Sequence, residues 1–182
     1  MLSLIHLFQQ GGVVLLDGAL GTELWRRRVD ISLPLWSARA LETAPAVVRA
    51  IHQDYLAAGA RILTANTFRT TSFTYQRTGL GEKEAREAAC IATHRAVSLA
   101  REAVGNHPPR DILLAGSMAP VGDCYTPGDY PGAAVARKIY GEQARELSAA
   151  GVHLLLLETH ITLEEAMIAL AAGTETGLPV LV

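Results

Sequence analysis

The sequence predicts an α/β fold built on a parallel β-sheet. Short, almost continuously apolar runs alternate with longer segments that have helical periodicity, which is typical of parallel strands joined by right-handed crossovers. Continuous apolar strands favour a sheet that is covered on both faces. Two stretches, 57–67 and 149–159, repeat one pattern of helix end, glycine, buried strand, polar residue and threonine.

Length and composition indicate one globular domain over residues 1–182. Hydrophobic residues make up 49% of the chain and charged residues 19%, which excludes a disordered protein. The net charge is −2 and the only basic run, Arg26–Arg28, is short, so we expect no nucleic-acid partner. Two cysteines do not form a disulfide framework, which indicates a reducing cytoplasm. Met1–Gln10 lacks the charged start of a signal peptide and no apolar run reaches membrane-spanning length, so we expect no membrane association.

The first half of the chain contains two predicted strands and two predicted helices. Val13–Leu16 is apolar without a break and predicts a strand buried on both faces, followed by Asp17-Gly18. Thr43 is suited to cap a helix with an apolar stripe, and Gly59 to end it. The elements after the first strand are an irregular segment at Asp17–Glu42, a helix at Ala44–Ala58, a strand at Arg61–Ala65, a polar and aromatic loop to about Gly81, and an alanine-rich helix at Glu82–Val104.

The second half continues the alternation. His107-Pro108-Pro109 breaks the long helix. Thr162–Glu165 has the residues of a capping box and opens another helix. The remaining elements are a strand at Asp111–Ala115 ending in Gly116-Ser117, a loop at Met118–Gly132, a helix at Ala133–Ala150, a strand at Val152–Leu157 ending in Glu158-Thr159, and a fifth strand at Pro179–Val182.

Polar residues follow four of the predicted strands, at Asp17, Asn66, Ser117 and Glu158. The carboxyl ends of parallel strands share one face, so we expect these side chains to lie near one site. A closed barrel and an open doubly wound sheet both build their sites there. No G-x-G-x-x-G motif or P-loop follows any strand, which counts against a nucleotide-binding fold.

Four segments, in order, resemble the homocysteine S-methyltransferase family. They are Leu16–Leu24, Ala58–Ala60 leading to Thr64–Phe68, Ala115–Gly122, and Leu154–Thr159 with Leu163–Ala166. The resemblance implies a (β/α)8 TIM barrel, of which this chain supplies about the first five strands. It also implies transfer of a methyl group from betaine, S-methylmethionine, S-adenosylmethionine or a methylfolate to the homocysteine thiolate, giving methionine.

The resemblance further implies where the substrate binds. It places Asp17 and Glu158 at the amino group of homocysteine, where an ammonium pairs with carboxylates. The implied substrate-binding residues are Asp17, Gly18, Thr22, Asn66, Thr67, Ser117 and Glu158. Turn, capping or loop-pinning roles are the alternatives for these residues. Trp36, Phe68 and Tyr75 are candidates for the wall of a methyl-donor pocket, with core packing as the alternative.

The family binds zinc through three cysteine thiolates in the second half of its barrel, one after an asparagine and two in a Gly-Gly-Cys-Cys stretch, and neither motif occurs here. Cys90 lies among alanines and predicts a buried, inert thiol, while Cys124 stands alone on the functional face. We therefore expect no metal ligand in this chain. His160 follows Glu158 and is a candidate for the site, whereas His52, His94 and His107 are expected to be ordinary helix-surface or loop residues.

These observations predict the N-terminal portion of a longer barrel, apparently truncated at its C-terminus and inactive alone. Its expected partners are small molecules, homocysteine and a methyl donor. One alternative is another (β/α)8 enzyme such as a lyase, although no strand ends in the lysine of a Schiff-base enzyme. Another is a non-catalytic half-barrel that assembles with a partner or as a homo-oligomer.

Overall fold

The computed structural model describes Gln9 and residues 13–105 and 112–182. The predicted helix break at His107-Pro108-Pro109, residue Asp111 of the third predicted strand and all of Met1–Gln10 except Gln9 lie outside the described residues.

Four parallel strands form one sheet. They are β1 (Ile62–Ala65), β2 (Leu113–Met118), β3 (Leu154–Leu157) and β4 (Val180–Leu181). They lie side by side in chain order, and each pairs in parallel with the next. A fifth segment runs parallel beside β1 through a bridge between Leu16 and Ile62. The predicted parallel α/β arrangement is confirmed.

Seven helices connect these strands in the described part of the chain. They are α1 (Leu20–Arg26), α2 (Ala40–Thr43), α3 (Pro45–Ala57), α4 (Ser72–Gln76), α5 (Glu82–Val104), α6 (Ala133–Ala150) and α7 (Leu163–Thr174), with single 3-10 turns at Trp36–Arg39 and Pro127–Asp129. Helices α5 and α6 begin and end where the sequence predicts. None of the described helices is both long and apolar enough to cross a bilayer.

Side chains cover both faces of the sheet. The larger core packs one face of the strands, through Leu63, Leu114 and Leu155, against the helices. The opposite face carries a smaller cluster of Ile62, Leu113, Ala115 and Leu154. Since neighbouring residues of a strand point to opposite faces, an almost wholly apolar strand supplies both layers.

The turns that lead from helix to strand are short and the connections at the other end of the sheet are long. Gly59 and Gly151 follow α3 and α6 with φ angles of +99° and +80°, a backbone conformation that favours glycine. The prediction that these two glycines end their helices is confirmed. The long connections after the strands all leave from the carboxyl end of the sheet, which is where the functional site lies.

The prediction that Val13–Leu16 forms a strand buried on both faces is wrong in both the burial and the length of the strand. Of Val13–Leu16, only Leu16 forms a bridge, and Val13 is 87% exposed. A few backbone bonds hold the segment at this bridge: the Arg61 amide donates to the Leu15 carbonyl at 2.8 Å, and the Asp17 amide to the Ile62 carbonyl at 3.0 Å. In the described chain it lies at the edge of the sheet and pairs on one side, so Val13, Leu15 and Leu16 are exposed while Val14 packs against the smaller cluster.

The segments predicted as irregular contain short helices. Asp17–Glu42 holds α1, a 3-10 turn and most of α2, and the loop before Gly81 holds α4. The Thr71 hydroxyl caps α4 by accepting a bond from the Thr74 amide at 3.2 Å. Helices of four to seven residues are too short for an apolar period to reveal them.

Two predicted boundaries also differ. Thr43 ends α2 and does not cap α3, whose first residue is Pro45, a residue preorganised for that position. Strand β2 continues through Gly116 and Ser117 to Met118. A Cβ atom at Gly116 would lie 2.8 Å from a methyl group of Leu147, so the missing side chain lets α6 lie directly on the strand.

The predicted capping box forms only in part. The Thr162 hydroxyl accepts a bond from the Glu165 amide at 3.3 Å, as a cap should. The Glu165 side chain does not return to Thr162: it is 2% exposed and accepts bonds from the Val121 amide and the Tyr140 hydroxyl, both at 2.9 Å. Glu165 thereby joins α7 to α6 and to the connection after β2.

Replacing Glu165 by alanine leaves the buried Val121 amide without an acceptor. We expect this change to lower the free energy of unfolding by about 1–3 kcal/mol, the usual effect of an unsatisfied buried donor. Its neighbour Glu164 is exposed, so Glu164→Ala is the matched control, with an expected change within about 0.5 kcal/mol. Urea denaturation of both variants measures the difference, and equal losses would contradict the buried role of Glu165.

Candidate functional site

A cavity of about 590 Å³ opens at the carboxyl ends of the strands. Its wall contains the segment that follows Leu16, the ends of β1, β2 and β3, and residues of the connections that leave them. Six of the seven predicted site residues line it: Asp17, Gly18, Thr22, Asn66, Ser117 and Glu158. The structure therefore brings together residues that are up to 141 positions apart, from 17 to 158 in the sequence.

Thr67 is the exception, because its side chain is fully buried beneath the cavity. Its hydroxyl donates to the Ser117 carbonyl at 2.9 Å. The buried Gln143 side chain donates to the carbonyls of Thr67 and Ser117, at 3.0 and 3.3 Å. Thr67 thus links the end of β1 to β2 and presents no surface to the cavity.

The Asp17 carboxylate is fixed against β1. One oxygen accepts from the Thr64 amide and the other from the Thr64 hydroxyl, both at 2.7 Å. Burial raises the pKa of Asp17 from 3.8 to about 6, and the nearby Glu158 charge adds to the rise, while the bonds from Thr64 oppose it. Asp17 and Glu158 both line the cavity, and their like charges repel each other.

Glu158 is held from the neighbouring strand. The Ser117 hydroxyl donates a short hydrogen bond to its carboxylate, and its own amide donates to the Met118 carbonyl at 3.2 Å. Ser117 occupies its predicted place on the cavity wall, and its hydroxyl orients Glu158.

Asn66 shapes the cavity by holding a neighbouring segment. Its side-chain amide is buried and donates to the Ser37 carbonyl at 2.8 Å, so the 3-10 turn at Trp36–Arg39 lies against the end of β1. Both Ser37 and Trp36 line the cavity.

Two of the three candidate aromatic residues form part of the wall. Trp36 and Phe68 line the cavity and meet edge to face, with ring centroids 5.3 Å apart. A Cβ atom at Gly21 would lie 2.4 Å from the Trp36 ring, so glycine is required for the indole to lie there. Tyr75 is not on the wall: it is buried in the helical core.

Arg69 is a cavity residue that the sequence analysis does not identify. It is the single basic side chain on the wall within the described residues, and it is only 7% exposed. One guanidinium nitrogen donates to the Gly122 carbonyl at 2.6 Å, and another lies 3.6 Å from the Asp123 carboxylate. Its buried Nε has no hydrogen-bond partner. The one feature of the sequence that could have indicated Arg69 as a cavity residue is its position three residues after Asn66, in a connection that leaves a strand.

The cavity does not fit the zinc site that the family resemblance implies. Cys124 is the one thiol on its wall, whereas the implied site needs three thiolates. His160 does not line the cavity; its ring packs edge to face on Tyr140 at 5.8 Å. In the described part of the chain, the one group of three side chains placed to hold a metal is Cys90, His94 and Glu146, outside this cavity.

The predicted burial is wrong for two residues away from the cavity. His52 is fully buried and not on a helix surface, and burial lowers its pKa to about 4. Cys90 is half-buried, and its thiol lies 3.1 Å from the Glu146 carboxylate. His94 is exposed on its helix, as predicted, and its imidazole lies 3.2 Å from the same Glu146 oxygen.

Comparison with known proteins gives consistent matches. The family model described as homocysteine S-methyltransferase matches residues 14–182. The homocysteine S-methyltransferase of Escherichia coli (strain K12) is 32% identical over 164 residues, which cover 84% of this chain and 52% of that protein. The selenocysteine methyltransferase of Astragalus bisulcatus is 36% identical over 97 residues, which cover 53% of this chain and 28% of that protein.

A solved structure extends the likeness to the fold. The metallated form of the Escherichia coli homocysteine methyltransferase MmuM superposes with a TM-score of 0.81 at 26% identity, over 95% of this chain and 62% of that chain. The likeness confirms a (β/α)8 TIM barrel, of which the described residues supply five strand segments. The match covers about half the length of the E. coli relative and a smaller share of the A. bisulcatus relative.

The raised pKa of Asp17 predicts how its contribution to stability depends on pH. The folded chain binds this proton more tightly than the unfolded chain, so the contribution is fully present below about pH 4 and is lost as the pH rises through about 6. We expect the difference in unfolding free energy between the unmodified chain and Asp17→Asn to decrease from pH 4 to pH 7. Urea denaturation across that range measures it, and a constant difference would contradict the burial of an ionisable Asp17.

Proposed function

The chain belongs to the homocysteine S-methyltransferase family, and from this premise we propose that its cavity binds homocysteine as the methyl acceptor of an S-methyltransferase. The observation that carries the proposal is the presence of two carboxylates, Asp17 and Glu158, on one cavity wall at the ends of different strands. Each is oriented by its own hydrogen bonds from a neighbouring strand.

The two carboxylates suit the ammonium group of an amino acid. An ammonium donates up to three hydrogen bonds, and bonds between ionised partners are about twice as strong as neutral ones. A cation placed between Asp17 and Glu158 relieves their mutual repulsion and favours the ionised form of Asp17. Homocysteine binding should therefore strengthen as the pH rises through about 6, the pKa of Asp17 in the free chain.

We propose that Arg69 receives the carboxylate of homocysteine. The substrate carries one negative and one positive group at its amino-acid end, and Arg69 is the one cation on the described wall. The small exposed part of its side chain presents this charge to the cavity, and guanidinium groups match carboxylates in geometry. Its bonds to Gly122 and Asp123 fix the position of the charge.

Trp36 and Phe68 are proposed to form the wall on the methyl-donor side. Betaine, S-methylmethionine and S-adenosylmethionine carry a positive charge at the methyl-bearing atom, and aromatic faces attract such cations. Leu33 and Tyr125 also line the cavity and provide further apolar surface. The aromatic wall favours these charged donors over a methylfolate.

The three-thiolate zinc site of the family does not fit the described residues of this cavity. A free thiol is mostly protonated near neutral pH, and the thiolate is the nucleophile. We therefore propose that the 182-residue chain binds homocysteine at its amino-acid end and forms no methionine by itself. Both cysteines are free thiols, in keeping with the cytoplasmic location that we propose.

The alternatives have less support. No lysine lines the cavity within the described residues, so a lyase that works through a Schiff base has no nucleophile there. Assembly of a non-catalytic half-barrel with a second copy or another partner stays a prediction, and the native mass of the purified chain tests it.

Removing the Glu158 carboxylate tests the proposed ammonium site. Glu158→Ala is expected to weaken homocysteine binding by about 1.5–3 kcal/mol, the usual loss for a charge-assisted hydrogen bond. Calorimetric titration with L-homocysteine measures the change. The matched control is Glu175→Ala, an exposed carboxylate at the end of α7 that is not on the cavity wall, and it should bind as the unmodified chain does. Equal weakening in both variants would count against the site.

Removing the Arg69 charge tests the proposed carboxylate site. The probe pair is homocysteine and 3-aminopropanethiol, the same molecule without its carboxylate. The unmodified chain should prefer homocysteine by about 10-fold or more, as expected for a charged hydrogen bond, and Arg69→Gln should lose that preference while still binding 3-aminopropanethiol. A preference that survives in Arg69→Gln would show that another group binds the carboxylate.

An assay for methionine tests the proposed lack of turnover. With homocysteine and each of the four donor types, the 182-residue chain should form no methionine above the uncatalysed rate, because the described cavity lacks the thiolate set that would activate the acceptor. Product measured by mass spectrometry in proportion to the concentration of the chain would contradict this expectation.

A further inference from the structure

Cys90, His94 and Glu146 form a compact group on the outer helical layer, away from the cavity at the strand ends. Cys90 and His94 are one turn apart on α5, so they lie on the same face of the helix. Glu146 reaches them from α6, and one of its oxygens lies 3.1 Å from the Cys90 sulfur and 3.2 Å from His94 Nε2. All three ligand atoms lie within 4.8 Å of one another.

We propose that these three side chains bind a zinc ion between α5 and α6. Sulfur, imidazole nitrogen and carboxylate oxygen are the three ligand types that zinc takes in proteins. The proposal concerns a site other than the homocysteine cavity and does not depend on what that cavity binds.

The two ligand separations that involve Glu146 are close to those of a tetrahedral site, and the Cys90 sulfur and a His94 ring nitrogen lie within 4.8 Å of each other. Bond lengths of about 2.0–2.3 Å place the ligands of a tetrahedral zinc roughly 3.3–3.8 Å apart. The separations from Glu146 are 3.1 and 3.2 Å, so a small outward movement of the side-chain ends accommodates the ion. The side chains of His94 and Glu146 are 44% and 40% exposed, which leaves them free to make that movement.

A neighbouring cavity leaves room for a fourth ligand. It has a volume of about 210 Å³, and Cys90 and Glu146 form part of its wall. Three protein ligands with an open fourth position are the arrangement in which zinc binds water or an exchangeable ligand. Zinc would thus join α5 to α6 and carry one exchangeable ligand.

The charge of the site is balanced when the metal is bound. Zinc with one thiolate, one carboxylate and a neutral imidazole has no net charge. The other charged side chains on the small cavity are Arg86, Glu142 and Arg145, and Arg86 pairs with Glu142 at 3.1 Å. A neutral zinc centre is therefore not repelled by the arginines beside it.

Binding replaces a proton. In the metal-free chain the Cys90 thiol donates to Glu146, and burial together with this carboxylate raises the pKa of Cys90 to about 11. Zinc forms a bond to sulfur as the S–H bond breaks, and the proton leaves to solvent.

Metal titration of the full 182-residue chain tests the proposal, with Zn²⁺ and Co²⁺ alone as probes. We expect one ion per chain, and a thiolate-to-cobalt charge-transfer absorption with Co²⁺. Cys90→Ser, His94→Gln and Glu146→Gln should each weaken binding by at least about 100-fold, the upper end of the loss when only a hydrogen-bond partner of a ligand is removed. The matched controls are Cys124→Ser, which removes the other thiol, and Glu87→Gln, an exposed carboxylate on the same helix; both should bind as the unmodified chain does.

X-ray absorption spectroscopy of the zinc-loaded, unmodified chain gives a second readout that needs no variant. A first shell of one sulfur with nitrogen and oxygen ligands is expected. Retained binding in Cys90→Ser, loss of binding in Cys124→Ser, or a zinc shell without sulfur would each overturn the proposal.

Discussion

The two hydrogen bonds from Thr64 to the Asp17 carboxylate hold the edge of the barrel and its cavity together. The segment that ends at Leu16 makes one bridge to the sheet, so strand pairing alone attaches it weakly. Asp17 adds a side-chain attachment at the point where the chain turns away from β1. Gly18, Thr22 and helix α1 follow directly, and all of them depend on this anchor for their place on the cavity wall.

The same anchor sets the electrostatics of the cavity. A carboxylate that accepts two bonds from one residue cannot turn away from its neighbours, so it stays beside Glu158 although burial and that charge both disfavour its ionised form. The hydrogen bonds from Thr64 thus keep the Asp17 carboxylate in a place where its ionised form is disfavoured. A positively charged ligand offsets that effect, because it stabilises the ionised carboxylate without moving it.

The sequence predicts the regular elements well and the contacts between distant elements poorly. Helices α5 and α6 were predictable residue by residue because long amphipathic segments end at glycine. The positions of Asp17, Asn66, Ser117 and Glu158 followed from the parallel sheet, which gathers strand ends at one face. Nothing local shows that Glu165 bonds to Val121, or that Arg69 reaches the Gly122 carbonyl 53 residues away. Cys90 among alanines reads as inert because its partner Glu146 lies on another helix.

The contact between Gly116 and Leu147 connects the two sites of the molecule. Gly116 precedes Ser117, whose hydroxyl orients Glu158 in the cavity at the strand ends, and Leu147 follows Glu146 of the cluster between the helices. A methyl group at position 116 would lie 2.8 Å from the end of the Leu147 side chain, so this side chain would have to change its packing between Ser117 and Glu146. A single added methyl group at this glycine therefore acts on the packing beside two groups of residues that share no member.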